Sequence, residues 1–171
     1  MNVFSLGMDD LAQKLRAEGI SAAVYNHVEG PALASDVARH YGAGDRRPII
    51  LIGHSLGADA VLMMAEQLKG LSVPVSLIVL FDGTQPIPVP ANVARVLNFT
   101  LRLLAAPGPG FQGEIINMDV SREPGIEHTS IDKSPTLQAA AIGKINAVVA
   151  EATPGAVGAR ALPPPAGPVR N

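Results

Sequence analysis

The stretch PIILIGHSLGA, residues 48–58, decides the fold of this chain, because an apolar strand gives way to a helix within it. Residues 49–52 are a continuous run of Ile and Leu, as expected for a strand that is buried on both faces. Residues 58–68 are largely apolar on every side of a helix, and Lys69 and Gly70 are typical of its end. The stretch therefore predicts a buried parallel strand that is joined by a sharp turn to a buried helix.

Ser55 lies at that turn, with Gly53 two residues before it and Gly57 two residues after it. Glycine at these positions allows a sharp turn, since a Cβ there would collide with the neighbouring backbone. The first amides of the helix, and the positive end of its dipole, are then aimed at the space beside the hydroxyl. We interpret the motif as a nucleophile elbow, with the amide of Leu56 as an oxyanion donor. A tight turn that Ser55 merely caps is the alternative.

The rest of the chain alternates short apolar runs with helical patterns. Helices are predicted over residues 8–18, 33–41, 92–104 and 135–151, and further strands over residues 20–25, 75–81 and 114–120. Strands that alternate with helices predict an α/β fold, a three-layer α/β/α sandwich with a mostly parallel sheet. In such sheets the reactive groups gather at the C-terminal ends of the strands.

Composition narrows the classes of partner. The chain has 171 residues, a hydrophobic content of 47% and a mean hydropathy of +0.26, which suit one domain. A net charge of −2 and a pI of about 6.0 give no broad positive surface for nucleic acid or an anionic membrane. The absence of cysteine excludes a disulfide scaffold, a thiolate metal site and a cysteine nucleophile. We expect a small neutral or apolar substrate and no metal or organic cofactor.

The two ends of the chain differ from its centre. Residues 153–171 are rich in Pro, Gly and Ala and are expected to be a disordered tail, which leaves residues 1–152 as the folded domain. Residues 1–19 carry five charges and resemble neither a signal peptide nor a membrane span. We therefore expect a cytoplasmic protein without stable membrane insertion, or an exported, periplasmic one if the native start lies upstream.

A serine hydroxyl is a weak nucleophile, so Ser55 needs a general base, and that base needs an orienting carboxylate. His128 is the candidate base, because it lies in a polar loop after the last predicted strand, ahead of the final helix. His54 adjoins the nucleophile, but its side chain must leave the turn in another direction, so a packing or supporting role is expected. His27 and His40 are expected to be surface or local hydrogen-bonding residues.

Two aspartates are candidates for the orienting carboxylate. Asp82 directly follows the apolar run of residues 75–81, which places it at the active edge of the sheet. Asp119 ends the last predicted strand and is nearer to His128 in sequence, although it could equally pair with Arg122. We prefer Asp82 because it follows the strand next after the elbow unit and keeps the chain order Ser, Asp, His. A turn-capping role is the alternative for Asp82 itself.

As a set, these residues resemble the α/β-hydrolase superfamily. The pentapeptide GHSLG, residues 53–57, is the form common in its lipases and thioesterases, and LFDGT, residues 80–84, is similar to the thioesterase arrangement of the acid. The resemblance spans roughly residues 4–151. It implies a reduced α/β-hydrolase fold and a serine hydrolase that cleaves an acyl ester or thioester through a Ser-His-Asp triad and an acyl-enzyme.

Members of this superfamily also have a strand and a glycine-containing loop before the first helix, and that loop donates the second oxyanion amide. Residues 1–7 leave no room for the strand, so residues 3–7 are expected to be the end of such a loop. Phe4 or Ser5 would then be the second donor. A chain without that donor would be a catalytically weak or inactive α/β-hydrolase-like protein that binds an apolar ligand or partner, which is the alternative function.

Residues 86–111, between two predicted strands, contain many large apolar side chains. Folds of this kind place lids in such segments, so residues 86–111 are a candidate acyl pocket. Ordinary packing of the predicted helix, residues 92–104, against the sheet is the alternative.

Overall fold

A computed structural model of the chain describes the backbone of residues 2–6 and all of residues 8–152. Within that part, six parallel strands form one sheet in the order β2-β1-β3-β4-β5-β6. The strands are β1 (Asn2–Leu6), β2 (Ala22–Tyr25), β3 (Ile49–His54), β4 (Leu77–Phe81), β5 (Arg95–Thr100) and β6 (Glu114–Asp119). The predicted tail, residues 153–171, lies outside the described residues.

Helices cover both faces of the sheet. They are α1 (Asp9–Ala17), α2 (Gly30–Gly42), α3 (Leu56–Gly70) and α4 (Pro135–Ala152). Ile50 and Ile52 of β3 pack in the cluster that holds the buried residues of α1 and α4, whereas Ile49 and Leu51 pack with α2 and α3. Alternate residues of a strand point to opposite faces, so the continuous apolar run of β3 packs against the helices on both faces of the sheet. The predicted three-layer α/β/α sandwich is confirmed. No helix within residues 8–152 is long and apolar enough to cross a bilayer.

The register of the central strands brings the turns after β3 and β4 together. His54, at the end of β3, pairs with Phe81, at the end of β4. Ser55 follows β3 directly and Asp82 follows β4 directly. Both residues therefore leave the sheet at the same edge. The amide of Ser55 donates to the carbonyl of Phe81 at 3.0 Å, and the amide of Asp82 donates to the carbonyl of Phe99 at 2.8 Å. These bonds extend the ladder one residue beyond the strands and fix the start of both turns.

The prediction of a helix over residues 92–104 is wrong, because this segment contains β5. Val96, Leu97 and Phe99 of β5 are buried, and they divide between the clusters on the two faces of the sheet. A short apolar run has no periodicity that separates a strand buried on both faces from a buried helix. The chain therefore crosses from β4 to β5 without a helix.

The expectation that residues 1–7 cannot supply a strand is also wrong. β1 pairs in parallel with both β2 and β3, so Leu6 lies beside Gly53 of the elbow. Five residues are a common strand length. Phe4 lies in the middle of β1, opposite Ala23 on one side and Leu51 on the other. Amides inside a strand with two neighbours belong to the ladder, so neither Phe4 nor Ser5 is placed as an oxyanion donor.

Candidate active site

The turn from β3 into α3 has the strained backbone of an elbow. Ser55 has φ 56° and ψ −123°, a region that non-glycine residues adopt at a cost of about 1–3 kcal/mol. A Cβ added to Gly53 would lie 2.2 Å from the carbonyl oxygen of Gly57. Position 53 therefore admits only glycine, as the sequence motif predicts.

Gly53→Ala is expected to destabilise the protein by about 3 kcal/mol or more, because the added methyl meets backbone that no rotamer change can move. Gly143→Ala is the matched control, since position 143 is exposed in α4 and a Cβ there has nothing within 4 Å. The control should gain about 1 kcal/mol from helix propensity. Urea unfolding of both variants measures the two changes. Equal stability of Gly53→Ala and the wild type would contradict the assigned turn.

Three side chains form a continuous hydrogen-bonded chain at the C-terminal edge of the sheet. Ser55 Oγ lies 2.9 Å from His128 Nε2, and His128 Nδ1 lies 2.7 Å from Asp82 Oδ2. A carboxylate accepts, so Nδ1 carries the proton of the neutral imidazole and Nε2 is left to accept from the serine hydroxyl. An imidazole in this position can take the proton of the serine hydroxyl while the carboxylate holds its ring.

Asp82 is fully buried at 0% exposure and is held by polar partners. Besides His128, the amide of Leu101 donates to its Oδ1 at 3.0 Å, and the guanidinium of Arg102 lies 3.8 Å from its Oδ2. A buried carboxylate is costly unless it is paired and hydrogen-bonded. The turn after β5 therefore holds the carboxylate of Asp82 oriented toward His128.

Asp59, in the first turn of α3, anchors the turn that follows Asp82. Its buried carboxylate accepts from the amide of Thr84 at 2.9 Å, from the amide of Gln85 at 3.1 Å and from the Thr84 hydroxyl. Asp82 itself has φ 45°, an unfavourable backbone conformation for a non-glycine residue. Hydrogen bonds from outside the turn, such as those of Asp59, stabilise it. Sequence analysis missed Asp59, although one charged residue inside the apolar run of residues 58–65 was a visible signal.

Asp119, the alternative acid, lies two strands away from Asp82, at the end of the edge strand β6. Its Oδ1 accepts from the amide of Ser121 at 2.9 Å. Hydrogen bonds from the side chain and the amide of Ser121 hold the pKa of Asp119 below its usual value. Asp119 thus behaves as an exposed turn residue at the far edge of the sheet.

Of the remaining histidines, His54 contacts His128, whereas His27 and His40 lie on other elements. His54 Nε2 lies 2.7 Å from the backbone oxygen of His128, so His54 supports the loop that carries the candidate base. His27 begins the short 3-10 helix His27–Glu29 after β2, and His40 is exposed in the last turn of α2. Among the described residues, no group of three or more His, Asp or Glu side chains could hold a metal ion.

Leu56 is the first residue of α3, so its amide precedes the hydrogen-bonded ladder of the helix and is available to a ligand. The side chain of Leu56 is 54% exposed directly beside the nucleophile. Residues 86–111 line a cavity beside Leu103 and Leu104 with a volume of about 20 Å³, which holds about one water molecule and no acyl chain. They also line a larger cavity of about 340 Å³, formed by residues 87–90 and 108–109 with Glu66 and Lys69. That cavity lies at the C-terminal end of α3, whereas Ser55 precedes its N-terminal end.

No family model matches the chain, and no curated protein sequence matches it. Among solved structures, the chain is similar to a crystal structure from Xanthomonas campestris pv. campestris that is described as a proposed hydrolase of the alpha/beta superfamily. The TM-score is 0.51 at 13% identity, and the match covers 85% of this chain and 98% of that one. Likeness at this identity is a likeness of fold, and function must be argued from the site. The chain is therefore an α/β protein with a fold similar to that of this structure of the alpha/beta superfamily.

Proposed function

We propose that this protein is a serine hydrolase that cleaves an acyl ester or thioester through a Ser55-His128-Asp82 triad and an acyl-enzyme. The observation that carries the proposal is the pair of contacts of 2.9 Å and 2.7 Å that joins Ser55 Oγ, the imidazole of His128 and Asp82 Oδ2. These three residues come from three separate turns, and they meet at the edge of the sheet where such folds carry out their chemistry.

Ser55 Oγ attacks the carbonyl carbon of the substrate while His128 Nε2 takes the hydroxyl proton. Asp82 stabilises the imidazolium that forms, and the amide of Leu56 donates to the oxyanion of the tetrahedral intermediate. Collapse of that intermediate breaks the bond to the alcohol or thiol, which leaves with the proton from His128. Water then attacks the acyl-enzyme by the same route and releases the carboxylic acid and free Ser55.

The surroundings of Ser55 favour an apolar acyl group. The exposed side chain of Leu56 gives such a group a surface beside the serine from which water can be excluded. β1 ends beside Gly53 at this same edge, so a second oxyanion donor is expected near the start of α1. Met8, buried at the start of α1, is the first described residue after that point.

Purified protein is expected to hydrolyse p-nitrophenyl acetate and an acetyl thioester faster than buffer alone, and EDTA should leave the rates unchanged because no step uses a metal. The two substrates share the acyl group, so the ratio of their kcat/KM values measures preference for the leaving group. Protein treated with a fluorophosphonate beforehand is the control and should be inactive. Thermal stabilisation by fatty acids without any turnover would contradict the proposal and favour a non-catalytic binding protein.

A further inference from the structure

His54 contacts the backbone that carries the candidate base. Its Nε2 lies 2.7 Å from the carbonyl oxygen of His128, and the centroids of the two imidazole rings are 5.2 Å apart. A carbonyl oxygen can only accept, so the proton is on Nε2 of His54 and the bond is a donation to the loop. The imidazole of His128 is thus held from two directions, by Asp82 through its ring and by His54 through its backbone.

The other ring nitrogen of His54, Nδ1, faces Asp132, which lies four residues after His128 in the same loop. It lies 3.8 Å from Oδ2 of Asp132, which belongs to the 3-10 helix Ile131–Lys133. Asp132 is 9% exposed, and its Oδ1 has no hydrogen-bond partner among the described residues. A buried carboxylate in that state is costly unless a cationic or donor group is beside it. His54 Nδ1 is the polar side-chain atom that lies beside this carboxylate.

The far side of this loop is fixed as well. Gln138 Nε2, on α4, donates to the backbone oxygen of Asp132 at 2.7 Å. His54 belongs to the same face of β3 as Ile50 and Ile52, which is the face covered by α1 and α4. One imidazole therefore joins the central strand to both ends of the segment from His128 to Asp132.

We propose that His54 is a positioning residue, which fixes the backbone of His128 so that its imidazole bridges Ser55 and Asp82, and that Asp132 orients His54. This inference rests on the proposed function. The loop that carries His128 has no regular helix or strand in residues 121–130. The position of His128 therefore depends on side-chain hydrogen bonds such as the one from His54. Misplacement of a catalytic group by about 1 Å can cost about 10²-fold in rate.

His54→Leu is expected to lower kcat by about 10- to 100-fold with KM changed less than about twofold, because the reacting geometry is lost and substrate contacts are kept. His54→Gln should restore most of the rate, since its amide nitrogen can reach the position of Nε2 and donate. His54→Asn is the matched control, because its shorter side chain cannot reach that position and should not restore the rate. His40→Leu, at an exposed position on α2, should have wild-type kinetics.

The Asp132→Asn variant distinguishes an effect on the orientation of His54, measured by kcat, from an effect on protein stability, measured by Tm. Loss of the carboxylate should lower kcat several-fold if Asp132 orients His54, even though a neutral amide costs less to bury than a carboxylate. A raised Tm with unchanged kcat would overturn the role of Asp132. Equal kcat values for His54→Leu, His54→Gln and the wild type would overturn the role of His54.

Proton NMR makes the test independent of turnover. The Nδ1–H resonance of His128, in its bond to Asp82, is expected in the wild type and in His54→Gln, and should be broadened or lost in His54→Leu. If the wild type has no hydrolase activity, the proposed function fails while this resonance still tests the positioning. Identical resonances in all three folded proteins would overturn the inference.

Discussion

Ser55→Ala is expected to lower kcat for p-nitrophenyl acetate by about 10⁴- to 10⁶-fold, the largest effect of any single substitution in this chain. In the proposed mechanism the Ser55 hydroxyl forms the acyl-enzyme, so its removal abolishes the covalent route rather than weakening it. Ser35→Ala, at an exposed position on α2, is the control and should keep the wild-type rate. Steady-state kinetics of the two variants and the wild type measure the difference.

His128→Ala combined with Ser55→Ala should cost no more than Ser55→Ala alone, because the base has no function without the nucleophile. Such non-additivity distinguishes residues that act as one unit from residues that contribute separately. Multiplicative losses in the double variant would contradict the proposed triad, as would a Ser55→Ala variant with more than about one tenth of the wild-type kcat.

Asp82→Asn is expected to lower kcat by about 10⁴-fold while the protein stays folded. The amide that replaces the carboxylate can donate to His128 Nδ1, which would place the ring proton on Nε2 and remove the acceptor that faces Ser55. The same variant also loses the charge that stabilises the imidazolium. Circular dichroism checks that the effect is on the reaction and not on the fold.

Asp119→Asn is the matched control for that substitution, since both aspartates lie at the C-terminal ends of strands and, of the two, Asp82 is the one that contacts His128. Its kcat should stay within about twofold of the wild type, because its carboxylate bonds its own turn. A larger loss in Asp119→Asn than in Asp82→Asn would reverse the assignment of the acid.

The strand-turn-helix unit around Ser55 could be predicted from sequence because every local signal in residues 48–58 agrees on one structure. The apolar run, the two glycines and the apolar helix each favour the same strand-turn-helix unit, and agreement of that kind is what makes a local sequence specific. Asp82 and His128 could be placed near Ser55 by the rule that strand ends share an edge. The distances between them could not be predicted, because they depend on the register of β3 against β4.

The errors have physical causes too. β5 was mistaken for a helix because a strand buried on both faces has no period-2 pattern. β1 was missed because a five-residue strand leaves little signal, although pairing with β2 and β3 makes it part of the sheet. Asp59 and His54 act through contacts with residues that are distant in sequence, the Thr84 turn and the His128 carbonyl, so their roles depend on the tertiary fold.

The most direct test of the triad is labelling of the folded protein with a fluorophosphonate probe, followed by peptide mapping. These probes react with a serine whose hydroxyl is activated by a neighbouring base. The account predicts one label, on Ser55, that is lost in Ser55→Ala and strongly reduced in His128→Ala, while Asp119→Asn is labelled like the wild type. An unlabelled wild-type protein, or a label on Ser55 that persists at full rate without His128, would contradict it.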